Sequence, residues 1–205
     1  MRRRIAKLTS NILSPFLIGL VLILIVSFEA TVSVFDAIKW SLILITLSIL
    51  PLFLFVVYLV RNNRLDGIFA TARKQRPKIY VLAVILAGVS CTTLISLKAP
   101  LILLASCVAG LLASVIFMCI NLWWKISLHT AFVAATVTLL FILYGFMSTP
   151  SIILIPLIAW AKIELQHHSL AQVVTGALLA PSILVAVFYL FELILDLKYL
   201  NVVFG

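Results

Sequence analysis

The sequence predicts an all-α integral membrane protein, a polytopic bundle of six to seven transmembrane helices. Hydrophobic residues make up 65% of the 205-residue chain and charged residues 10%; a soluble domain carries about 25% charged residues. Apolar runs recur along the chain at about 20 residues each, the length a helix needs to cross a hydrocarbon core of about 30 Å. The period-two alternation of a transmembrane barrel is absent from the sequence.

The elements follow in order. Arg2, Arg3, Arg4 and Lys7 precede an apolar run over 12–28. No small-x-small cleavage site follows it, so it is read as a retained first span and not as a removed signal peptide. Further spans are expected over 37–60, 79–97, 100–122, 128–147, 150–161 and 170–191. The sixth is short and is expected to extend to Leu165, with Lys162 reaching out to the membrane edge. Thr149-Pro150 would start it, since proline is tolerated in a first helical turn. Pro15, Pro51 and Pro156 fall inside spans and are expected to kink them. Trp123 and Trp124 read as part of an aromatic belt. The odd set Cys91, Cys107 and Cys119 lies within spans and reads as small core residues. Glu192 and Asp196 stand near the far end of the last span and need no catalytic explanation. Residues 1–205 read as one membrane-embedded domain, without repeat or linker.

With seven spans, the N-terminus, the 61–78 loop, Lys125 and Lys162 share one face and carry 12 of the 15 Lys and Arg residues. Lys39, Lys98 and Lys198 fall on the other face. The positive-inside rule makes the richer face cytoplasmic. The net charge of +9 therefore belongs beside a bilayer, and no nucleic-acid partner is expected. The chain's three histidines, His129, His167 and His168, fall on that same face. Two spans separate Arg76 from Ser127, and two more separate His129 from His168. An even number of crossings returns the chain to its starting face, so Arg76, Lys125, Ser127, His129, Lys162 and His168 can meet at one membrane edge.

Three short stretches at that edge are similar to the motifs of the type 2 phosphatidic acid phosphatase and haloperoxidase superfamily, K-x6-R-P, P-S-G-H and S-R-x5-H-x3-D. Arg76-Pro77 matches the end of the first, and Ile126-Ser127-Leu128-His129 resembles the second. Ala161-Lys162, His168 and Gln172 keep the spacing of the third, and the run from Gln172 to Ala177 resembles the helix that follows it. The best match covers 120–190. Phe69 stands at the first-motif lysine, Leu128 at the glycine, Ala161 at the serine, Lys162 at the arginine and Gln172 at the aspartate. The chain would thus be a divergent member.

The resemblance implies a metal-independent membrane phosphatase without cofactors, acting on a lipid phosphate or prenyl diphosphate through a phosphohistidine. It implies that His168 is the nucleophile and His129 the proton donor to the leaving oxygen. Gln172 would orient His168, and Arg76, Lys125, Ser127, Lys162 and His167 would hold the phosphate. The chemistry suits such residues, because a phosphoryl transition state needs in-line placement and several donors around its equatorial oxygens. Histidine can attack or donate a proton near neutral pH. Ser127 and Ser169 each precede an expected helix, where unpaired backbone N–H groups favour an anion. Ser169-Leu170-Ala171-Gln172 is also a capping-box pattern that would fix His168.

Other functions compete. Lysine lacks the bidentate fork of arginine, and an amide cannot stabilise a charged imidazole as a carboxylate does. The altered positions therefore also suit a lipid-binding scaffold that has lost its chemistry. Asp66 before Arg76-Pro77 faintly resembles an intramembrane prenyltransferase motif. That chemistry needs several aspartates for magnesium diphosphate, and this face offers Asp66 and Glu164. A three-histidine metal site is disfavoured by the adjacency of His167 and His168. A channel or transporter is disfavoured because no expected span carries a charge near its middle.

Overall fold

A computed structural model of the chain describes residues 1–69 and 72–204, with side chains described as far as residue 192. The side chains of Asp196 and Lys198 lie outside that set. The described backbone is a helical bundle: α1 (Arg2–Ile12), α2 (Pro15–Glu29), α3 (Val34–Leu44), α4 (Leu50–Arg61), α5 (Pro77–Ser96), α6 (Leu101–Asn121), α7 (Leu128–Tyr144), α8 (Leu154–Glu164) and α9 (Leu170–Phe204). Among the described residues, six stretches are long and apolar enough to cross a membrane: Arg2–Glu29, Val34–Arg61, Pro77–Ser96, Leu101–Asn121, Leu128–Glu164 and Leu170–Glu192.

The fifth stretch is a hairpin. Gly145 takes a φ of +57°, a left-handed conformation open to glycine, and ends α7. A 3₁₀ segment, Gly145–Ile153, leads into α8. Val133 and Val137 of α7 share an apolar cluster with Ile158 of α8. The Phe69 ring touches both His129, at the start of α7, and Lys162, near the end of α8. Both ends of the stretch therefore lie at one end of the bundle, so the described residues cross the bundle seven times. The helix expected from Pro150 begins instead at Leu154, with Pro150 inside the 3₁₀ segment.

Prolines act as stops more than as kinks. Pro15 opens α2 after Ser14, whose hydroxyl accepts from the Leu17 N–H, so the expected first span is preceded by a separate helix α1. Pro51 follows a π-turn, Ile45–Ile49, which joins α3 to α4. Proline lacks an N–H and its ring crowds the preceding turn, and the wider π-turn relieves both. Pro181 lies inside α9.

Two contacts mark the opposite ends of the bundle. At one, the Tyr144 hydroxyl donates to Glu29 Oε1 at 2.6 Å. At the other, Lys162 Nζ donates to Ser10 Oγ at 2.8 Å. Lys162 is therefore not splayed out to the edge as expected. It is 2% exposed, because α1 packs along α8 and covers it. Of the two tryptophans, Trp123 is exposed as a membrane-edge residue would be, whereas Trp124 packs against the core.

The most extensively packed helices are α7 and α9. Small residues line the contact: Gly176 of α9 lies against the Ala131 backbone of α7, and Ala134 on α7 and Ala180 on α9 are buried. Such residues let backbones approach closely where apolar burial cannot drive association. This pair carries His129 at the head of α7, and His168 just before α9.

Candidate functional site

The turn between α8 and α9 is built by helix-capping chemistry. Gln166 is left-handed, with a φ of +57°. The His167 N–H then donates back to the Lys162 carbonyl at 3.1 Å, closing α8. Three residues on, the capping box forms: the Gln172 N–H donates to Ser169 Oγ, and the Ser169 N–H donates to Gln172 Oε1, each at 3.4 Å. Between these two caps His168 has little freedom. Its Nδ1 lies 2.9 Å from Gln172 Oε1. A backbone N–H can only donate, so the Ser169 contact identifies Oε1 as an acceptor. Nδ1 of His168 must then carry the proton, which leaves the lone pair on Nε2.

The segment before α7 docks on this turn. The Ser127 N–H donates to the Gln172 carbonyl at 3.2 Å. Ser127 Oγ accepts from the Thr130 N–H at 3.5 Å, and the residue is fully buried, so its hydroxyl serves as a helix cap. Arg76, 4% exposed, donates from Nη1 to the Ile126 carbonyl at 2.8 Å. Lys125 Nζ donates to the His167 carbonyl. His129, 5% exposed, holds its Nε2 buried without a hydrogen-bond partner among the described residues. Its ring meets Phe69 edge to face, with centroids 4.8 Å apart. Lys162 Nζ lies 5.3 Å from the same Phe69 ring. All eight residues singled out in the sequence are thus linked at one end of the bundle.

The end is electropositive and poorly hydrated. Burial lowers the pKa of Arg76, opposed by Tyr80 and Asp66. Burial, and then Arg76, lower that of Lys125. Burial lowers His167, with Lys162 and Lys125 adding to the effect. His168 is pushed down to about 3, by burial first, then by Lys125 and Arg76, with Gln172 opposing. Cations gathered round neutral imidazoles are suited to an anion, which would offset their mutual repulsion.

A pH dependence follows. In the folded protein His168 stays neutral down to about pH 3, whereas an unhindered imidazole titrates near 6.5. Between these values the unfolded chain binds more protons. The contribution of this group to stability is therefore fully present above about pH 6.5 and is lost as pH falls towards 3. The melting temperature in detergent micelles should drop as pH is lowered from about 7 to about 4, and His168→Asn should flatten the drop. Equal slopes for wild type and variant would contradict this.

Several contributors carry no sequence signal. Ser10 is one polar residue in a basic, apolar N-terminus. Phe69 stands where the resembling motif has a lysine, yet its ring lies between His129 and Lys162. Arg73 Nη1 donates to the Leu122 carbonyl at 2.7 Å and to that of Asn121 at 3.4 Å, while Asn121 Nδ2 returns a bond to the Arg73 carbonyl. This clasp holds the loop before α5 against the end of α6. Among the described residues no three His, Cys, Asp or Glu side chains are grouped as metal ligands. Comparison with known proteins adds no relative: no family model, no curated protein and no solved structure matches the chain.

Proposed function

We propose that the chain is a membrane phosphatase for a lipid phosphate or prenyl diphosphate, working through a phosphohistidine on His168. The observation that carries this reading is the His168–Gln172 pair. It leaves Nε2 as a bare nucleophile beside Arg76, Lys125 and Lys162. Nε2 would attack phosphorus, forming an N–P bond as the bond from phosphorus to the alcohol or phosphate leaving group breaks. His129 would pass a proton to the departing oxygen, having taken it up once the negative charge of the bound phosphate offsets the surrounding cations. Water would then hydrolyse the N–P bond and release phosphate. The Gln172 carbonyl oxygen would keep His168 oriented throughout.

An apolar groove supports substrate entry from the side. It runs between α4 and α5, lined by Phe55, Val81, Leu82 and Ile85, and by Pro77 and Lys78, which follow Arg76 in the chain. A hydrocarbon tail lying there would bring its headgroup to the basic end of the bundle.

The test is phosphate release from a panel of lipid phosphates and diphosphates, in EDTA, by wild type and His129→Ala. Wild type should release phosphate. The variant should be slower by about 10²- to 10⁴-fold, the usual contribution of a positioned proton donor. Equal rates would remove His129 from the chemistry. A wild type that binds these lipids without turnover would favour the scaffold reading, for which the Phe69 ring between His129 and Lys162 is the supporting observation.

A further inference from the structure

The α5–α6 hairpin holds a feature that the cation site does not use. Cys91 on α5 and Cys107 on α6 face one another, with their sulfurs 3.1 Å apart. Both are free thiols. Cys91 donates to Cys107 Sγ, and Cys107 donates onward to the Ala87 carbonyl at 3.7 Å. Cys91 is 6% exposed and Cys107 half-buried, so apolar helix faces shield the pair from water. Counted from Ser96 and Leu101, each lies about 8–9 Å inside the end of the hairpin opposite the cation site. Cys119 sits on α6 near the cation end and is exposed, so it serves as an internal control.

A buried pair of cysteines has a bland alternative as two small packing residues. The geometry argues for more. Each thiol takes part in one hydrogen-bonded relay, and both sulfurs are already within a short movement of bonding distance, on adjacent antiparallel helices that pack along their lengths. Disulfide formation needs the two sulfurs to approach without backbone rearrangement.

We propose that Cys91 and Cys107 are a redox-active pair that forms a reversible disulfide, stapling α5 to α6. The oxidant class that fits its location is a membrane-soluble quinone. Both S–H bonds break, one S–S bond forms, and the two electrons and two protons convert the quinone to its quinol. Reduction by a dithiol reverses the step. The staple would complement the Arg73–Asn121 clasp, which ties the loop before α5 to the end of α6 at the cation end. Each end of the hairpin would then be held, one by hydrogen bonds and one covalently.

The loop between the cysteines supplies the assay. Lys98 is exposed and lies between Cys91 and Cys107 in the chain, so trypsin can cut there. The full-length protein in detergent micelles is oxidised with a short-chain ubiquinone or, in parallel, with diamide. Remaining thiols are blocked with N-ethylmaleimide, and the protein is cut with trypsin. The expected result is one adduct, on Cys119, and a Cys91–Cys107 peptide pair that separates only after dithiothreitol. Cys119→Ser should keep the linked pair, and Cys91→Ser should abolish it. Maleimide on both Cys91 and Cys107 after diamide as well as after quinone, or links formed solely between chains through Cys119, would overturn the proposal. Linkage by diamide but not by quinone would overturn the oxidant class.

Discussion

His168→Ala is expected to lower phosphate release by at least about 10⁴-fold, with no rescue by metal ions. A covalent nucleophile is worth this much because its loss removes the easier two-step route altogether. The effect should exceed that of His129→Ala, since a leaving oxygen can still take its proton from water. The variant should also lose acid-labile phosphate from the quenched protein, a readout that a merely structural histidine would not move. Gln172→Glu sharpens the test. It keeps the reach of the capping box and adds a carboxylate at Nδ1, which stabilises an imidazolium. The His168 pKa should rise, and phosphohistidine should accumulate faster. A His168→Ala protein that folds as wild type and still turns over lipid phosphate would eliminate the nucleophile. Loss of turnover with no phosphoprotein in wild type would point to a histidine that merely binds the headgroup.

Much of the placement of these residues was legible because it depends on local rules. The lengths of the apolar runs predict the crossings. The parity of those crossings puts Arg76, His129 and His168 at one end, provided that 128–164 is a hairpin, and Gly145 makes it one. The Ser169–Gln172 capping box was readable from four adjacent residues, and it forms. What was not legible depends on which helix lies beside which. Lys162 near a helix end reads as a cation stretching to water, yet α1 lies over it and Ser10 Oγ accepts its hydrogen bond. The position of Phe69 reads as a lost lysine, but no spacing rule reveals that its ring contacts two of the other candidate residues. The break at Ser14-Pro15 was visible as a proline, but an apolar run continuing beyond it disguised a helix boundary. Arg76 is a further case: charge patterning marks it as basic, whereas its bond to the Ile126 carbonyl belongs to the tertiary fold.

Gly176→Ala is expected to damage both the fold and the site. A Cβ there would stand 2.6 Å from the Ser127 carbonyl oxygen and 3.5 Å from the Ala131 N. The obstruction is backbone, so no side chain can swing away. Alanine normally favours a helix over glycine by about 1 kcal/mol, but forcing extra volume into a packed contact costs about 1–3 kcal/mol. At Gly110, where nothing lies within 4 Å of a built Cβ, the helical gain should prevail and Gly110→Ala should raise the melting temperature. At Gly176 the clash should prevail and lower it. The functional loss should be larger than the stability loss suggests. The Ser127 N–H bonds the Gln172 carbonyl across this same contact, and Gln172 orients His168 while Ser127 starts the helix that carries His129. Pushing α9 from the 126–127 segment therefore moves the two imidazoles relative to each other. A displacement of about 1 Å at a reacting centre can cost about 10²-fold in rate. Gly176→Ala should thus lose about that factor in phosphate release while remaining folded. Unchanged turnover with a lowered melting temperature would mean that the α7–α9 contact holds the bundle together but does not set the spacing of His129 and His168.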